Sequence, residues 1–161
     1  MKDISQIDKN FFVNTEFDTS GLRVYNALEN PFRIYGLICP EHETDRFQRI
    51  PEEIAKNANP GVFALYCNTS GGRVRFRTNS SKIAIFARMD RIAKMPHFAL
   101  TGSAGFDLYI DNRYEKTFIP PYDIKDGYSS LITLDNDREK DVTIYFPLYS
   151  DVLSLAIGLF A

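Results

Sequence analysis

Apolar and polar residues alternate with a period of two in a series of short runs along this chain. In Arg73–Thr78, Val74 and Phe76 fall on one face and Arg73, Arg75 and Arg77 on the other. Residues 82–89 place Ile83, Ile85, Ala87 and Met89 together, and 106–111 set Phe106, Leu108 and Ile110 against Asp107, Tyr109 and Asp111. Residues 141–149 oppose Val142, Ile144, Phe146 and Leu148 to Thr143, Tyr145, Pro147 and Tyr149. Residues 153–160 put Leu153, Leu155, Ile157 and Leu159 on one side. Side chains of a strand point to opposite faces in turn, so each run predicts a strand with one buried face. Weaker strand signals cover 22–26, 32–39, 47–50, 62–68, 114–119 and 130–134.

The separators are turn formers: Ser70-Gly71-Gly72, Asn79-Ser80-Ser81, Asp111-Asn112 and Asp135-Asn136-Asp137. Asp111-Asn112 joins two strand-like runs directly and predicts a tight hairpin. A single short helix is expected from Pro51, where proline at a first helical position precedes Glu52 and Glu53. Two turns of helix cannot cover a sheet. The pattern therefore predicts an all-β fold, two antiparallel sheets face to face with one short helix, in one domain over residues 1–161. A jelly roll is the expected topology, although alternation alone does not separate it from other sandwiches.

Composition agrees. Aromatic residues make up 14% of the 161, all Phe and Tyr with no Trp, and such residues suit a pleated, half-buried surface. The formal net charge of -2 gives no reason to expect nucleic acid or an anionic membrane as partner. Cys39 and Cys67 sit beside apolar residues outside any CxxC pair, and read as buried thiols; a bridge between them is not legible. The start, MKDISQIDKN, holds no apolar signal-peptide core, and no run reaches membrane-spanning length; the compartment stays open.

Chemistry is sparse. His97, Ser103 and Asp107 name a hydrolase triad, but Thr101-Gly102-Ser103-Ala104-Gly105 lacks the glycine two places before the serine that a nucleophile elbow requires. A glycine-rich loop entering a strand is the expected reading, and no catalytic residue is assigned. Glu41, His42, Glu43 and Asp45 lack a zinc-binding histidine spacing and read as a solvated loop. The acidic loop 135–141 permits a structural calcium ion, with a plain turn preferred. No metal or cofactor is expected. Neither Asn68-Thr69-Ser70 nor Asn79-Ser80-Ser81, which match the glycosylation pattern, carries weight, because such matches arise by chance.

Arg73, Arg75 and Arg77 crowd positive charge onto one strand face. They are expected to pair with Asp107 or another strand acid, or else to grip a carboxylate or the hydroxyls of a sugar. Tyr145 and Tyr149, with Tyr109, fall on the non-core faces of their strands, where tyrosine suits sugar stacking or a domain interface.

Three stretches carry a family resemblance: residues 69–79, residues 95–109 with Gly105-Phe106-Asp107-Leu108-Tyr109, and Tyr145-Phe146-Pro147-Leu148-Tyr149 leading to Leu155-Ala156-Ile157-Gly158. Together they resemble the GxDLY family, the N-terminal domain of bacterial SGNH (GDSL-like) hydrolases. The resemblance implies a jelly-roll module in front of a C-terminal SGNH hydrolase domain of the same polypeptide. The parent enzyme would act on ester bonds, among them acyl groups on carbohydrates. It also marks Gly105, Asp107, Leu108 and Tyr109 as a structural motif. The hydrolase's own sequence blocks are missing here, so a non-catalytic accessory role is expected. The rival is a lectin-like carbohydrate-binding module. Phe160, at an apolar end of the chain, is expected at a domain boundary or interface.

Overall fold

A computed structural model describes residues 16–160. Met1 to Thr15, with the polar start, and Ala161 lie outside them. Nine strands form two antiparallel sheets among the described residues. They are β1 (Leu22–Asn26), β2 (Arg33–Tyr35), β3 (Arg73–Thr78), β4 (Lys82–Asp90), β5 (Phe106–Ile110), β6 (Arg113–Phe118), β7 (Gly127–Thr133), β8 (Lys140–Tyr145) and β9 (Asp151–Phe160). One sheet has the order β1-β9-β4-β7 and the other β2-β3-β8-β5-β6. The core lies between them. Val74, Phe76, Ile83, Ile85, Leu108, Ile144, Phe146, Leu155 and Ile157 are buried, as their shared alternation predicts, and Ile110 is half-buried. Aromatic rings fill much of this layer: Phe146 meets Phe47 at 5.1 Å and Phe106 at 5.5 Å between centroids, and Phe32 meets Phe76 at 4.8 Å. Such tilted and edge-on pairs add to the burial of each ring.

The hairpin at Asp111-Asn112 forms as expected, with both residues at positive φ (51° and 64°), the left-handed values that a two-residue turn between twisted strands requires. The structure also corrects several expectations. Three short helices occur, where one was expected: α1 (Glu52–Ala58), α2 (Pro60–Leu65) and α3 (Leu100–Ala104). The 62–68 strand signal is wrong because α2 starts there. Asn59 caps it, accepting a hydrogen bond from Val62 N at 2.9 Å, and Pro60 occupies its first turn. The glycine-rich segment before the motif strand is the helical turn α3, with no open loop. Residues 47–50 contribute only an isolated bridge, Ile38 to Gln48.

Two strand readings shift. The run 141–149 breaks at Tyr145, so Tyr149 sits in the β8–β9 loop and its strand-face assignment fails. In β9, Ser154 pairs with Arg88 but Val152 pairs with Met89, so Leu153 is the extra residue of a bulge. A bulge moves one side chain out of phase. Val152 is therefore fully buried and Leu153 only half-buried.

Candidate functional site

The motif strand is set by a close approach. α3 delivers the chain to Gly105, whose N–H donates to Thr101 O at 2.9 Å. Gly105 has φ −77°, which any residue adopts. Its constraint is space: a Cβ there would collide with Thr101 O and stand 2.8 Å from Thr117 Cγ2. Phe106 and Leu108 then point into the core, fully buried, while Asp107 and Tyr109 point outward. Thr117 Oγ1 donates to Asp107 Oδ1 at 2.6 Å from the neighbouring strand, and the Tyr114 hydroxyl lies 2.9 Å from Thr117 Oγ1. Beneath the motif, the buried Tyr128 hydroxyl donates to Phe118 O at 2.7 Å, with Ala104 O at 3.2 Å. The start of β5 is thus tied to the end of β6. Burial pushes the Tyr128 phenol well above its ordinary range.

Across the outer face of the five-stranded sheet, two registered rows of side chains cross all its strands. One runs Tyr35, Arg73, Tyr145, Asp107, Thr117; the next runs Arg33, Arg75, Thr143, Tyr109, Tyr114. Arg73 lies over the Tyr35 ring at 5.5 Å. Tyr109 packs edge-on against Tyr145 at 5.2 Å and against Tyr114 at 5.7 Å. The three strand arginines have different fates. Arg77 pairs with Glu139 at 2.8 Å and Asp141 at 3.4 Å. Arg73 and Arg75 make no ion pair with Asp107 or any other acid among the described residues, and Arg75 stands directly opposite Arg33. Phe160 is half-buried at the opposite end of the other sheet, with Lys82 Nζ 5.1 Å from its ring centroid.

A second cluster had no counterpart in the sequence reading. Asp151, at the head of β9, is fully buried. Its Oδ2 accepts Arg91 Nε at 2.6 Å and Arg46 Nη1 at 2.7 Å, and its Oδ1 accepts Asn68 Nδ2 at 2.9 Å. Arg46 also reaches Asp90 at 3.3 Å. These hydrogen bonds to Asp151 push both guanidinium pKa values up. Arg91 takes a φ of 44°, unusual for a side-chain-bearing residue. Arg46 and Arg91 border a cavity of about 500 Å³, together with Glu52, Phe63, Tyr66 and Cys67. The partners lie up to 105 residues apart in the chain. The one sequence signal was a lone acid heading an apolar run.

The other candidates do not converge. Ser103 is fully buried and its hydroxyl donates to Leu100 O at 3.3 Å; His97 is exposed; Asp107 is on the outer sheet face bonded to Thr117. Asp45 Oδ2 accepts the backbone N–H groups of Glu41 and His42, so the Glu41–Asp45 stretch is a turn closed by its own acid. In the 135–141 loop, Glu139 and Asp141 are taken by Arg77, and Arg138 pairs with Asp111. Among the described residues no group of His, Cys, Asp and Glu is placed to hold a metal ion. Nor is any described helix long and apolar enough to cross a membrane. Cys39 and Cys67 are both free thiols; Cys67 is buried as expected but Cys39 is only half-buried, and desolvation pushes both pKa values up.

Two packed antiparallel sheets, a motif strand fixed by packing and an outer face rich in arginine and tyrosine define a β-sandwich domain. The chain belongs to the GxDLY family, the N-terminus of SGNH-type esterases, whose sequence profile matches residues 22–161. Among solved structures it is similar to a Bacteroides ovatus protein assigned as a GDSL-like lipase. The two are 25% identical with a TM-score of 0.72, covering 87% of this chain and 41% of that one. It is also similar in fold to a salicylyl-acyltransferase from a tetracycline biosynthetic pathway. That match is 18% identical with a TM-score of 0.65, covering 88% of this chain and 40% of the other. The chain thus spans about two-fifths of these structures. No curated protein sequence matches it significantly.

Proposed function

We propose that this chain is a single non-catalytic domain that accompanies an SGNH-type ester hydrolase in the same polypeptide. On this reading it packs against the hydrolase and extends its substrate-binding surface. The observation that carries the reading is the family match over residues 22–161. Its support from chemistry is the separation of Ser103, His97 and Asp107: a buried serine, an exposed histidine and a strand-face acid do not form a nucleophile–base–orienter set. The strand order, with the chain crossing between sheets at β1–β2, β3–β4, β4–β5, β6–β7, β7–β8 and β8–β9, supports a jelly roll. Phe160, half-buried beside Lys82, leaves part of its ring open for the proposed contact with the hydrolase.

A second role, glycan binding, is favoured by the outer face of the five-stranded sheet, where tyrosines and arginines share registered rows. The two roles are compatible: an accessory domain that holds a carbohydrate raises the local concentration of its esters at the active site.

The catalytic part is tested on the isolated chain. Incubation with p-nitrophenyl acetate is expected to release p-nitrophenol at the buffer rate. Turnover that disappears on Ser103→Ala would overturn the assignment.

A further inference from the structure

The outer face of the five-stranded sheet carries charge that the described residues leave uncompensated. Arg33 and Arg75 are direct cross-strand partners, and Arg73 is next along β3 on the same face. Like charges directly opposite on a sheet are destabilising. None of the three forms an ion pair among the described residues, although Arg77, two positions on, is paired twice. This positive patch stands on a chain whose net charge is -2. The neighbours are equally specific. Tyr35 is 41% exposed, Tyr145 36% and Tyr114 58%, and Tyr109 links the last two edge-on.

We propose that this face binds a linear glycan bearing carboxylates, such as a polyuronate. Arg33, Arg73 and Arg75 grip its carboxylates, and Tyr35, Tyr109 and Tyr145 contact its sugar rings. The inference rests on the glycan-binding role above and adds the substrate class.

Three features favour this occupant. A guanidinium presents paired N–H donors that match a carboxylate. The two rows cross five strands, a track of roughly 19 Å at the usual strand spacing, which suits an extended polymer. The rows hold only Arg, Tyr, Thr and Asp, with no aliphatic side chain. Tyr and Arg also serve protein interfaces; what favours the glycan is the set of guanidiniums without acid partners among the described residues, Arg33, Arg73 and Arg75, which a polymer with repeating carboxylates complements.

The test is calorimetric titration of the chain with oligogalacturonate, with a neutral xylo-oligosaccharide of equal length, and with dextran sulfate. Binding of oligogalacturonate that weakens with salt, and is about tenfold weaker in Arg75→Ala and in Arg33→Ala, is the expected result. Both variants remove one of two facing like charges, so their melting temperatures should stay level or rise. Equal binding of the neutral glycan would overturn the acidic specificity while leaving a glycan-binding face. Binding of dextran sulfate alone would overturn the carboxylate assignment. Binding of none of the three, or self-association abolished by Arg75→Ala, would overturn both the inference and the glycan-binding role beneath it.

Discussion

Replacing Asp151 by alanine is expected to destabilise the fold by about 3 kcal/mol or more, the effect seen when one partner of a buried ion pair is removed. For a domain of this size that corresponds to a melting temperature lower by roughly 10 °C. The reason lies in what remains. Asp151 is fully buried and its two oxygens take hydrogen bonds from Arg46, Arg91 and Asn68. Without it, two guanidiniums and an amide lose their common acceptor. Arg46 and Arg91 keep side-chain exposures of 29% and 45%, so water recovers part of the loss and the estimate sits at the lower end of the usual range. The network also joins distant segments: the loop before α1, the end of α2, the end of β4 and the head of β9. Asp151→Asn keeps the shape and one acceptor oxygen, and should fall between the wild type and the alanine variant. A thermal shift within 2 °C for Asp151→Ala would show that the network contributes little.

Gly105→Ala is expected to cost about 3 kcal/mol, the upper part of the range for overpacking. The backbone conformation at this position suits alanine, so the cost is steric. The added Cβ meets the Thr101 carbonyl, which belongs to the turn of α3, and Thr117 Cγ2 at 2.8 Å. Thr117 can yield, but it also holds Asp107. The double variant Gly105→Ala with Thr117→Ser keeps that hydroxyl and removes the methyl contact, so it should recover only part of the loss. Denaturant melts of Gly105→Ala, Thr117→Ser and the double variant measure this directly. Full recovery would place the obstruction in the Thr117 methyl alone. A stability for Gly105→Ala equal to the wild type would remove the packing explanation for the glycine of the motif.

Much of the architecture was legible because one face of β3, β5, β7 and β8, and most of β4 and β9, is buried. Val74 and Phe76, or Ile83 and Ile85, declare their strands through period two, and the hairpin declares itself through Asp111-Asn112. The failures have separate physical causes. The bulge at Leu153 shifts β9 by one residue, and no local composition signals a bulge set by its partner strand. α2 was misread because its apolar run, Val62 to Leu65, is too short to show a helical period; its Asn59-Pro60 cap was the better signal.

The surfaces were less legible than the fold. The arginines of β3 were visible as a set, but their partners were not. Arg77 meets Glu139 and Asp141, while Arg75 faces Arg33 because β2 pairs in that register. The Asp151 network assembles residues scattered from 46 to 151, and only the fold brings them together. The GxDLY segment was recognisable as a motif, yet its glycine is explained by Thr101 and Thr117, which contact it only in three dimensions.

The central claim, that this chain accompanies a hydrolase without supplying its catalytic groups, is tested most directly by steady-state hydrolysis of p-nitrophenyl acetate. The assay compares the complete polypeptide with its Ser103→Ala and His97→Ala variants. The account predicts a kcat within about twofold of the wild type for both, because neither side chain touches the reacting ester; loss of a general acid–base group typically costs a hundredfold or more. A kcat lowered by orders of magnitude in either variant, with the fold intact by circular dichroism, would contradict it.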